Sequence, residues 1–131
     1  MTLQRQIDGI AIGLAAIPII AAILLWPVLP AEMAIHWSGG SPDTFVAKPL
    51  ATLGLFAFAV GTIVFVRVAP DWITNTPGGE SLSVLFLGVV FAWVETIVLA
   101  WNRGLRFSVE LALVPILVLA VGLLGYAFWW R

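Results

Sequence analysis

Four long apolar runs constrain this chain more than any other feature. They fall at roughly 9–29, 49–69, 82–101 and 108–130, with short polar segments between them. About 20 apolar residues in a helix suffice to cross the roughly 30 Å hydrocarbon layer of a bilayer. The fold expected is therefore an all-α integral membrane protein, a four-transmembrane-helix bundle forming one membrane domain over 1–131. Composition agrees: 62% of residues are hydrophobic and 10% charged, with a mean hydropathy of +1.10. Soluble domains hold an apolar share nearer ~45–50%.

The first run is longer than the ~7–15 residues of a secretory h-region, and no clean cleavage site follows it, so a permanent span is expected. Trp26, Trp72, Trp101, Trp129 and Trp130 all fall at expected span ends, where indole rings sit at headgroup level. Pro18 and Pro115 are expected to bend spans one and four, while Pro27, Pro30 and Pro70 mark span ends. Gly9 with Gly13, and Ala57 with Gly61, are small residues four apart, the pattern of close helix packing. Arg67 is placed to snorkel to the headgroups. The 71–81 connector is rich in turn formers, and 102–107 reads as a tight turn. No internal repeat is apparent.

Several function classes drop out. A net charge of −1 offers no basic surface for nucleic acid. The absence of cysteine removes disulfides, thiolate nucleophiles and thiolate metal sites. Four spans put both termini on one side and place the 29–49 segment with the 102–107 turn on the other. Arg5, Arg67 and Arg131 on the first side balance Lys48, Arg103 and Arg106 on the second. The N-terminal amine tips the expectation toward cytoplasmic termini in a cell membrane.

Glu95 is the one ionisable residue well inside a span, which makes it a candidate intramembrane polar site. Gly88, Ala92, Thr96 and Ala100 form a small-residue ridge on span three. At about 100° per residue, Glu95 falls roughly 20° from Gly88 around the helix and so faces protein rather than lipid. Its depth, about 9 Å below the Trp101 end, makes Arg103, Arg106, His36 and Lys48 the possible partners. A neutral acid bonded to a carbonyl freed by a proline is the alternative. Either a structural contact that holds helices in register or a binding and proton-relay role fits these facts.

The 29–49 segment is the long polar interruption near the front of the chain. It carries the sole histidine, His36, and the sole lysine, Lys48, together with Trp37 and Asp43. Gly39-Gly40 permits a sharp reversal, and Met33, Ile35, Trp37 and Phe45 need burial. An ordered loop folded over the bundle mouth is expected, knit by a His36–Asp43 or His36–Glu95 hydrogen bond and a Lys48–carboxylate contact. His36, Trp37, Asp43 and Lys48 are its candidate binding and loop-ordering residues. Metal-ligand spacing is lacking even with Glu32, Asp43 and Glu95 counted beside His36. Ser38 and Ser41 have no oxyanion motif near them. Neither a metal, a cofactor nor an enzyme activity is expected.

Leu29-Pro30, Ile35-His36-Trp37, Gly40, Pro42-Asp43 and Lys48 together resemble the membrane domain of unknown function found in SdpI-type bacteriocin immunity proteins, over roughly 9–69. The resemblance implies a prokaryotic membrane protein and, through its best-known members, protection against a membrane-active peptide and sensing of it. The partners expected are the lipid bilayer and a peptide or membrane protein, with oligomerisation open. Two other readings stand beside this one: a subunit or assembly factor of a larger membrane complex, and a small transporter or channel subunit using Glu95.

Overall fold

The computed structural model describes residues 2–69 and 79–129, without the side chains of 79 and 80. Helix α1 (Leu3–Leu24) leads through a 3-10 turn (Trp26–Val28) into strands β1 (Glu32–Ser38) and β2 (Ser41–Ala47). A π-helical turn (Leu50–Gly54) runs directly into α2 (Leu55–Val68). Then follow α3 (Gly79–Asn102), α4 (Val109–Ala112) and α5 (Val114–Trp129). Among the described residues, Leu3–Leu24, Leu50–Val68, Ser81–Asn102 and Val109–Trp129 are long and apolar enough to cross a membrane. Their length and apolarity make this a multi-pass membrane protein. The all-α expectation needs one correction, because the loop between the first two spans is an antiparallel β-hairpin.

The first span lies nearer the N-terminus than its expected 9–29. Thr2 caps the helix by accepting from the Arg5 N–H (3.3 Å), which makes the polar lead helical. At the other end Pro27 stands in the 3-10 turn that closes the span. Arg67, at the end of α2, is engaged by an acid. It donates through Nε (2.9 Å) and Nη2 (2.6 Å) to Asp8 Oδ1, tying the start of α1 to the end of α2. The 70–78 part of the connector, with Pro70 and Trp72, and also Trp130 and Arg131, lie outside the described residues.

Helices α1 and α3 form the closest pair. A Cβ on Gly88 would sit 2.8 Å from both Cα and the carbonyl oxygen of Ala11, so only glycine fits there. Ala11, Ala15 and Ala22 line the buried face of α1. Gly9 and Gly13 point away, two residues to either side of Ala11 and hence about 200° around the helix. The same offset places Ala57 and Gly61 outward while Ala59 and Ile63 are buried. The ridge expected on α3 also drifts: a four-residue step advances about 40°, so Gly88 is buried but Thr96 is exposed.

The fourth span breaks where Pro115 lacks an N–H. The Ile116 and Leu117 N–H groups donate to the Leu113 carbonyl (3.1 and 3.2 Å). That leaves the Ala112 carbonyl to accept from Trp93 Nε1 at 2.6 Å, which couples α4 to α3. Along α5 no residue is buried.

Candidate functional site

The hairpin turns on Gly39 and Gly40, whose φ values of 57° and 81° suit a two-residue turn of the hairpin type. Met33, Ile35 and Trp37 alternate along β1 toward the bundle, where Val46 of β2 joins them against Ala22, Leu29, Ala51, Val98 and Leu99. Met33 is fully buried (0% exposed), a contribution of about 1.5–3 kcal/mol. Phe45 departs from expectation. It pairs with Ala34, which is buried (2%), yet is itself 52% exposed.

An isolated two-stranded hairpin is marginal in water, so this one depends on its clamps. Asn102, at the end of α3, acts as a substitute strand. Its Oδ1 accepts from the Ala34 N–H (2.8 Å), and its Nδ2 donates to the carbonyls of Ala34 (2.9 Å) and Val98 (2.7 Å). At the other end, Lys48 Nζ donates to the Trp26 carbonyl (2.7 Å) and lies 5.0 Å from the Trp26 ring centroid. The expected Lys48–carboxylate contact is thus replaced by a carbonyl and a ring. Trp37 packs edge-on to Trp101, and Trp101 to Phe107, both at 5.7 Å between centroids. Arg106 lies over Trp101 at 4.7 Å and donates to its carbonyl at 2.9 Å. The hairpin and the 102–107 turn therefore share one end of the bundle, as connectivity requires.

His36 and Asp43 come together as expected. His36 is in register with Thr44, and the ladder skips Ile35 and Asp43 on either side of that pair, which leaves Asp43 next to His36 across the hairpin. His36 Nδ1 lies 2.7 Å from Asp43 Oδ1. An ionised carboxylate only accepts, so the Nδ1 carries the proton and Nε2 is left facing outward. Thr44 Oγ1 donates to the same oxygen (3.0 Å). Hydrogen bonds from His36 first, then Ser38, hold the Asp43 carboxyl below its ordinary 3.8. The His36 side chain is 66% exposed, so the pair forms a polar patch on the outer surface. Among the described residues, no third His, Asp or Glu joins it in a group able to hold a metal.

Beneath the hairpin lies Glu95, 3% exposed. None of its expected partners reaches it: His36 is bound to Asp43, Lys48 to Trp26 and Arg106 to Trp101, while Arg103 is exposed. Among the described residues neither carboxylate oxygen has a hydrogen-bond partner, which also sets aside a bond to a proline-freed carbonyl. Glu95 faces a cavity of about 10 Å³ lined by Pro18, Ala22, Ala51, Thr52, Leu55 and Val98 among others. Asn102 and Thr52 stand outside the residues expected at this site. A lone amide at a span end beside Trp101 is the signal for Asn102; Thr52 carries none.

Residues 13–60 match the family model described as Domain of unknown function (DUF1648). The match spans the second half of α1, the hairpin and the start of α2, and its description assigns no activity. No curated protein and no solved structure matches the chain.

Proposed function

We propose that this chain is a non-catalytic membrane protein that recognises a peptide or membrane-protein partner at the hairpin face. The immunity and sensing role implied by the likeness to SdpI-type proteins is one form of that reading. The observation that carries it is the division of labour within the hairpin. Met33, Asn102 and Lys48 hold it to the bundle, while His36 and Asp43, bonded to each other, and Phe45 are exposed. A rigid scaffold presenting exposed polar and aromatic groups loses little entropy on binding.

Protection of cells against a membrane-active peptide tests this reading, with His36→Ala, Asp43→Ala and Phe45→Ala variants accumulating normally. Protection should fall for each, and a photo-crosslinking residue in place of Phe45 should capture the partner. Full protection by all three variants would overturn the proposal. Trp37→Ala and Lys48→Ala should act differently, lowering accumulation because these residues hold the hairpin.

A subunit role in a larger membrane complex has separate support in α5, which buries no residue against the rest of the chain. Purification in mild detergent tests it: a lone monomer would count against that role.

A further inference from the structure

We propose that Glu95 and the cavity it faces form an intramembrane site for one monovalent cation, either a proton or an alkali ion such as Na⁺. This goes beyond partner recognition and does not depend on it. Three elements build the site. Helix α1 contributes Pro18, Ile19 and Ala22; the π-helical turn and the first residue of α2 contribute Ala51, Thr52 and Leu55; α3 contributes Glu95, Val98 and Leu99. Apart from Glu95 itself, no lining residue is charged or titratable.

The polar side-chain atoms here are acceptors. Thr52 Oγ1 donates its hydrogen to the carbonyl of Lys48 (2.9 Å), which leaves its lone pairs available. Both Glu95 oxygens lack partners among the described residues. No backbone N–H among the described residues bonds either oxygen. An anion would find no hydrogen to accept from these side chains, whereas a cation finds three oxygens. One carboxylate balances a single positive charge, and no group of three acids or histidines stands among the described residues, so a divalent ion is not matched. A cavity of about 10 Å³ is also the size of one water-sized occupant. The π-helical turn widens the helix at this wall, a distortion that recurs at functional sites.

The test uses the full chain in liposomes and a membrane-permeant carbodiimide. The protonated carboxyl adds through oxygen to the carbodiimide carbon as its proton passes to nitrogen, and the adduct is mapped by mass spectrometry. An adduct on Glu95 is expected. A yield that falls as pH rises, with no effect of Na⁺, identifies the proton. A yield lowered by Na⁺ at constant pH identifies the alkali ion, and Thr52→Val should then weaken that protection several-fold. No adduct on Glu95 at any pH, or a yield indifferent to both pH and Na⁺, would overturn the proposal.

Discussion

Asp43 accepts hydrogen bonds from His36 and Ser38 in its ionised form, and those donors hold its carboxyl below the ordinary 3.8. A carboxyl depressed by folding adds order that is present above its unfolded value and lost as pH falls through the lowered one. Hairpin order should therefore persist at pH 3.8 and loosen only below it. NMR titration of the Asp43 carboxyl gives its value, and Asp43→Asn should remove the acid transition from the amide shifts of the hairpin. A measured value at or above 3.8 would contradict the geometry. Gly88 offers a steric test at the same scale. Gly88→Ala forces a Cβ against the Ala11 backbone and should cost about 1–3 kcal/mol in detergent unfolding. Gly13→Ala, with nothing within 4 Å, should instead stabilise by up to about 1 kcal/mol. The sequence shows both glycines equally well. Which one packs depends on helix phase, and a small-residue pair does not reveal which face of its helix turns inward.

The hairpin is the element whose existence depends most on its neighbours. Its cues are present in the chain: apolar residues alternate at Met33, Ile35 and Trp37, and Gly39-Gly40 supplies the turn. The His36–Asp43 contact could be anticipated because the two stand close on either side of that turn. The clamp could not, since Asn102 lies 68 residues from Ala34 and pairs with it only after α3 has packed. Lys48 likewise follows tertiary placement, its flexible stem carrying the ammonium to a carbonyl at the end of α1 rather than to an acid. Asn102→Ala leaves the Ala34 N–H and C=O without this partner and should cost about 1–3 kcal/mol. Asn102→Asp should not rescue it, because a carboxylate accepts from the N–H but donates nothing to the carbonyl. Amide exchange of Ala34 and its β2 neighbours should rise in both variants while α1 and α3 stay protected. Protection unchanged in Asn102→Ala would mean that Met33 and Trp37 hold the hairpin unaided.

At the scale of the molecule, apolar length fixes the number of spans, while charge leaves their direction open. Arg5, Arg67 and Arg131 balance Lys48, Arg103 and Arg106, and the contacts these side chains make leave their positive charges in place. Arg67 is held by Asp8, Lys48 by a carbonyl, and Arg106 by Trp101. The relation between the sides is firmer than their identity. Asn102 joins the hairpin to the end of α3, and Asp8 joins the start of α1 to the end of α2 at the opposite end of the bundle. A chain without cysteine makes this directly measurable. With Ser41→Cys, Leu105→Cys and Thr2→Cys introduced singly, a membrane-impermeant maleimide applied to intact cells should treat the first two alike and the third oppositely. Cytoplasmic termini require that Ser41→Cys and Leu105→Cys be the labelled pair. The reverse pattern would keep the bundle and invert it, putting the proposed recognition face inside the cell. Labelling of all three from one side would break the four-span arrangement itself.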